Sequence, residues 1–241
     1  MNIYGKSKIG EIIKGNPYVG RGVIIGKTKS GDKCAVAYFI MGRSQNSRNR
    51  VFTLKDTSVF TEPFDVSKVE DPSLIIYSAL KVIDDKLIVT NGDQTDTIYD
   101  YIKDGKTFTQ ALRSREFEPD APNFTPRISG MATFKENDFT YEMSILKSID
   151  EVGSACQRFN FEYPSVSGLG HFIHTYVTDG NPIPTFQGEP ERVEIPNDID
   201  EFTNDIWNNL DAQNKISLYV RYIDLKTGEY DYRLINKNGD K

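Results

Sequence analysis

The chain has 241 residues, 38% of them hydrophobic and 27% charged, with a formal net charge of −6. A mean hydropathy of −0.49 with 12% aromatic residues excludes a disordered chain, and the acidic balance excludes a broad nucleic-acid surface, which needs a basic footprint. Two cysteines, Cys34 and Cys156, are too few for a disulfide scaffold, and two histidines, His171 and His174, leave little for a histidine-rich metal site. Met1 to Lys8 has no secretory-signal pattern, and no stretch approaches the roughly 18 apolar residues of a membrane span. A cytoplasmic location with no membrane partner is therefore expected.

In chain order, Tyr18 to Gly26 is predicted as a strand rich in Val and Ile. Lys33 to Met41 is another, with Ser30-Gly31-Asp32 turning between them. Val51 to Phe60 reads as one extended segment. Leu74 to Val82 and Lys86 to Thr90 flank a hairpin tip at Asp84-Asp85. Asp96 to Lys103 places Ile98, Tyr101 and Ile102 on one side of a helix that Gly105 would stop. Lys106 to Arg115 reads as a second short helix. Pro119, Pro122 and Pro126 keep Glu118 to Pro126 out of any helix. Arg127 to Phe134 and Phe139 to Leu146 pair around Lys135 to Asp138, and Cys156 to Tyr163 and His171 to Val177 add strands. Asp179 to Ile195 reads as a long surface excursion. Ile199 to Leu210 carries Phe202, Ile206, Trp207 and Leu210 at helical spacing, and Lys215 to Leu225 pairs with Tyr230 to Ile235. This mixture predicts an α+β fold of sheets packed on each other with helices outside.

Four segments have the composition of a site. Gly42 to Arg50 packs Arg43, Arg48 and Arg50 with Ser44, Ser47 and Asn49 directly after a strand. Guanidinium forks and hydroxyls match phosphate or carboxylate oxygens, although a solvated basic loop reads equally well from composition. Asn91-Gly92-Asp93-Gln94-Thr95-Asp96 joins a strand to a helix, with Asp93 or Thr95 as the expected cap. Glu116 to Arg127 sets three acids before a proline-stiffened loop that ends in arginine. A carboxylate beside arginines there could act as a general base. In Ser165 to His174, the two histidines would face opposite sides of a strand, so a shared metal is not expected. Cys34, between small residues in an apolar strand, reads as core.

Several of these stretches, in this order, resemble the archaeal-type IMP cyclohydrolase family. They are Pro17-Tyr18-Val19-Gly20-Arg21, Ala37-Tyr38 followed by Gly42-Arg43-Ser44, and Asn49-Arg50. Ile76-Tyr77, Asn91-Gly92 with Thr95-Asp96, and Thr125-Pro126-Arg127-Ile128 follow. Each is short, and their collinearity over residues 16–130 gives the match its specificity. Residues 131–241 carry no matching motif and read as a divergent half of one domain, as in a bacterial member of the family. The resemblance implies a single domain over 1–241. Its fold would be a four-layer αββα sandwich like that of N-terminal nucleophile hydrolases, without autoprocessing. The implied reaction closes the ring of 5-formamidoimidazole-4-carboxamide ribotide to give inosinate and water, with no cofactor or metal.

Under that resemblance Arg50 and Ser44 hold phosphate, with Arg21 as a further candidate. Arg43 or Arg127 faces the developing oxyanion. Glu118 is the preferred base, with Glu116 or Asp120 as substitutes because the acidic segment carries an insertion. Tyr77 is a proton donor or relay, a role in which a tyrosine must have its pKa lowered to act as a base. Asn49, Asn91, Gly92, Thr95, Asp96, Asn123 and Thr125 would line the ribose and carboxamide. Tyr38 would line the site or belong to the core. Phe39 stands where the family has a basic residue. The expected partner is a small purine ribotide, not nucleic acid, and a homo-oligomer is compatible with the reading. The alternatives are a non-catalytic purine-nucleotide-binding protein and an amide hydrolase on the same sandwich.

Overall fold

The structure, a computed structural model, describes residues 4–69 and 76–239. Leu74 and Ile75, the start of one predicted strand, lie outside the described residues. In the first half α1 (Ile9–Ile13) precedes β1 (Arg21–Lys27) and β2 (Lys33–Met41), and α2 (Gln45–Arg48) precedes β3 (Arg50–Lys55) and β4 (Ser58–Pro63). Then come β5 (Tyr77–Ile83), β6 (Lys86–Thr90), α3 (Gln94–Lys103), α4 (Phe108–Arg113), β7 (Arg127–Lys135) and β8 (Asp138–Ser148). The rest is β9 (Cys156–Pro164), β10 (Leu169–His174), β11 (Glu191–Glu194), α5 (Ile199–Asn209), β12 (Lys215–Asp224) and β13 (Tyr230–Asn236).

Two antiparallel sheets result. One has six strands in the order β11-β10-β1-β2-β12-β13, and the other has seven, β3 through β9 in sequence. The first sheet therefore draws strands from both ends of the chain. Alternation along each strand sorts the side chains. Val23, Ile25, Val36, Tyr38 and Ile40 point into the space between the sheets and meet Phe52, Val89 and Ile128. Ile24, Ala37, Phe39 and Phe172 point outward onto Ile9, Phe202 and Ile206 of α1 and α5. Ile88, Met131 and Leu146 on the far face of the second sheet meet Ile98, Phe108 and Leu112 of α3 and α4. Each such buried side chain contributes about 1.5–3 kcal/mol of transfer free energy.

Local signals explain the helices. Asp198 caps α5 by accepting from the Asp200 and Glu201 amides. Thr107 and Gln110 form a capping box on α4, and Gly105 at φ +72° ends α3. Among the described residues no helix is long and apolar enough to cross a membrane.

Two expectations are corrected. Val51 to Phe60 is not one extended run: the chain reverses at Asp56, φ +55°, to form the β3–β4 hairpin. Asp179 to Ile195 is not wholly an excursion, because β11 joins the first sheet through the Phe172↔Glu191 to Leu169↔Glu194 register. Phe39 faces the helical layer and packs against Phe172, with ring centroids 5.9 Å apart. A basic residue at that position would point away from the space between the sheets.

The two sheets are also joined side to side. The Asn236 side chain accepts from the Phe52 amide at 2.8 Å and donates to the Phe52 carbonyl at 3.0 Å, linking β13 to β3.

Candidate active site

The register of β1 aims Arg21 the same way as Val23, into the space between the sheets, and Arg50 precedes the inward-facing Phe52 on β3. Both guanidinium groups are buried. Arg50 Nε donates to the Ser47 carbonyl at 2.8 Å. Arg21 Nε has no protein partner. Among the described residues neither arginine has a carboxylate within the 4.0 Å ion-pair distance. Burial, and then the like charge of Arg21, push the Arg50 pKa down. Two buried guanidinium groups with no directly ion-paired carboxylate among the described residues form a receptor for an anion. Beside it the Tyr38 and Tyr77 hydroxyls share a 2.8 Å hydrogen bond. Burial, then Tyr77, hold the Tyr38 phenol well above its ordinary pKa, so it is a neutral donor.

Glu118 closes this cluster. It is buried, and burial raises its carboxyl pKa against the opposing pull of Arg21 and Arg127, with Asp120 adding to the rise and Arg50 opposing it. For Arg21 burial opposes the charge, but Glu118, followed by Tyr18, Tyr176 and Tyr77, outweighs it and raises the pKa. Arg127 comes from the other face of the second sheet, opposite in register to the inward Ile128. Its Nη1 donates to Asp93 Oδ1 and Gln94 Oε1, both at 2.7 Å. Gly92 leaves room for this approach: a Cβ there would lie 2.6 Å from Arg127 Nη1 and 3.5 Å from Glu118 Oε1. Asp93 also pairs with Arg115, and the two arginines outweigh burial to lower its pKa.

Arg43 is held differently. Its Nη1 pairs with Asp179 and donates to the Gly180 carbonyl at 2.8 Å, and its guanidinium lies 5.3 Å from the Tyr18 ring centroid. Tyr18 stacks on Tyr176 at 5.7 Å. Gly20 makes that packing possible. It sits at φ +79°, and a Cβ would come within 2.0 Å of Thr175 Oγ1 and 2.6 Å of Tyr176 Cδ2. Gly20→Ala is expected to lose about 2–3 kcal/mol of stability through strain and overpacking, read from the urea midpoint at constant m-value.

The structure thus brings together Arg21, Tyr38, Arg50, Tyr77, Gly92, Glu118 and Arg127. The other sequence candidates are placed elsewhere or are occupied within the fold. Ser44 is exposed and caps α2, accepting from the Ser47 amide. Asn49 clips the Asp65 backbone through both ends of its amide. Asn91 bonds the Pro126 carbonyl, the Ile128 amide and Gln94. Thr95 does not cap α3; it lies inside the helix and bonds Thr90 at 2.7 Å. Asp93 stands at the cap position without a capping bond, because its carboxylate is taken by Arg115 and Arg127. Asp96 pairs with Lys81 at 2.6 Å. Asn123 Oδ1 accepts from the Ile183 amide, and Thr125 is bonded to Asp120 and Tyr176. Glu116 pairs with Arg158 on the surface.

Cys34 is core, and burial raises its thiol pKa. His171 and His174 point to opposite sides of β10. His171 stacks on Tyr163 at 3.7 Å, and burial lowers its pKa to about 4; His174 stacks on Phe172 at 4.7 Å. Among the described residues no group of three His, Cys, Asp or Glu side chains is gathered for a metal ion. Sequence reasoning missed Tyr176, Asp179 and Asp93 as members of this region. Only a glycine directly before Arg21 is legible in the sequence, and its φ of +79° is what makes it the point where Tyr176 packs.

Comparison with known proteins identifies the family. A family model described as IMP cyclohydrolase-like protein matches residues 18–228, well past the stretch that carries the short motifs. Curated relatives named IMP cyclohydrolase include one from Methanothrix thermoacetophila, 38% identical over 120 residues, covering 48% of this chain and 58% of the relative. One from Methanopyrus kandleri is 34% identical over 116 residues, covering 46% and 57%. One from Methanococcus aeolicus is 31% identical over 163 residues, covering 66% and 74%. The chain spans little more than half the length of the first two. Since the family model covers most of the chain, the arginine cluster and every strand but β13 included, the chain belongs to the IMP cyclohydrolase-like family.

Proposed function

We propose that this protein is an IMP cyclohydrolase, closing 5-formamidoimidazole-4-carboxamide ribotide to inosinate and water. The observation that carries the reading is the buried pair Arg21 and Arg50, with no carboxylate at ion-pair distance among the described residues, beside Glu118 and the Tyr38–Tyr77 phenols. Two adjacent guanidinium groups suit a phosphate dianion. The carboxamide nitrogen loses a proton to Glu118 as its bond to the formyl carbon forms. The formyl oxygen takes a proton from Tyr77. The formamido nitrogen then returns a proton to Tyr77 as the carbon–oxygen bond breaks, and the proton held by Glu118 goes to the departing hydroxyl, which leaves as water. Arg127, oriented by Asp93 and set beside Glu118 at Gly92, faces the oxygen as its charge develops, while Arg43 is paired with Asp179. Ring closure is already intramolecular, so stabilising that oxygen is the larger share of the catalysis. We further propose that 1–241 forms one domain, and that its layers correspond to the αββα sandwich of N-terminal nucleophile hydrolases without autoprocessing.

The test is to add purified protein to the formylated ribotide and follow inosinate absorbance. Turnover is the expected result. Inosinate binding without turnover would make it a nucleotide-binding protein, and no binding would remove the arginine pair as a phosphate receptor.

A further inference from the structure

The loop that presents Glu118 is closed by its own bonds. The Glu118 amide donates to the Thr125 carbonyl at 2.9 Å, and the Thr125 amide donates to Asp120 Oδ1 at 2.6 Å. Thr125 Oγ1 donates to Asp120 Oδ2. Because that hydroxyl proton is used on a carboxylate, its oxygen accepts from Tyr176 Oη, 2.6 Å away. Tyr176 is itself immobile. Its amide bonds the Val19 carbonyl at 3.2 Å, its ring stacks on Tyr18, and the space beside it is the one Gly20 leaves open. The segment just after β10 therefore reaches across to the base of the Glu118 loop.

We infer that Tyr176 is a positioning residue for Glu118, its hydroxyl holding Thr125 and through it the carboxylate. This rests on the proposed role of Glu118. It assigns a task to the half of the chain that carries no recognisable motif. Tyr176 has no contact with substrate in this scheme, and Tyr176→Phe leaves Arg21 its larger partner Glu118, so the expected effect falls on the chemical step more than on binding. A carboxylate displaced by a fraction of an ångström from the nitrogen it deprotonates loses rate steeply.

The experiment is a double-mutant cycle on the full chain with Tyr176→Phe, which keeps the ring stack, and Thr125→Val, which keeps the volume. Each single variant is expected to lower kcat about tenfold with KM within about twofold of wild type. The double variant is expected to lose no more than Thr125→Val alone, because that change already removes the partner of the Tyr176 hydroxyl. Hydrogen exchange in the 118–126 backbone is expected to quicken in both. Unchanged kcat, a rise in KM alone, or losses that multiply would overturn the inference. The exchange measurement reads the link even if wild type makes no inosinate, in which case unchanged exchange overturns the inference by itself. Quickened exchange with an inactive wild type would instead overturn the cyclohydrolase reading and, with it, the catalytic purpose assigned to Tyr176.

Discussion

Replacing Arg50 with methionine should raise KM for the ribotide about a hundredfold while making the free protein harder to melt. The two effects have one cause. Arg50 is buried, lacks a carboxylate within ion-pair distance among the described residues, and lies in the field of Arg21, so its charge is disfavoured in the folded state. A neutral side chain of similar length removes that penalty. With phosphate bound, the same charge is neutralised, and losing it costs about 2.7 kcal/mol, the free-energy equivalent of a hundredfold. Thermal melts with and without inosinate check both halves. Wild type should gain about 2.7 kcal/mol at a hundred times Kd, and the variant should gain far less at the same concentration. A variant with unchanged KM would take Arg50 out of the phosphate site.

Glu118→Gln should lower kcat by about 10²–10⁴ with KM retained, as for loss of a general base. Its stability should not fall at neutral pH. Burial raises the Glu118 pKa, so the folded state holds the proton more tightly than the unfolded chain does. The contribution of this group to stability is therefore complete below the ordinary carboxylate range and is lost as pH rises through the raised value. Base catalysis runs the other way: the rate falls as pH drops through that same value. Between about pH 4 and 8 the stability of wild type relative to the variant should fall as pH rises, while the base-dependent fall of wild-type rate at low pH should be absent from the variant. Full activity of the variant would exclude Glu118 as the base.

Much of the fold was legible because its signals are local. An apolar run after the Ser30-Gly31-Asp32 turn marked Lys33 to Met41, which is the observed β2, and turn chemistry marked the β5–β6, β7–β8 and β12–β13 hairpins. Arginines in an acidic chain pointed to Arg50, and the family motifs to Arg21 and Arg127. What failed depended on partners distant in sequence. Asp93 reads as a helix cap until Arg115 and Arg127 arrive from later segments to take its carboxylate. Arg43 reads as a free cation until Asp179, 136 residues on, meets it. β11 was hidden because four residues in a Pro- and Gly-rich stretch carry too little periodicity to announce a strand.

The Asn236 amide on Phe52 has a consequence for how this molecule tolerates crowding. An outermost strand normally offers an open ladder on which another polypeptide can add. At β3 the central rungs of that ladder are occupied by a side chain, so fibril-like addition is blocked there without a single extra backbone pairing. The opposite flank, β9, is protected by other means: Arg158, Asn160 and Glu162 along its length and Pro164 at its end. Removing those charges should do more to promote self-association than any change along β3.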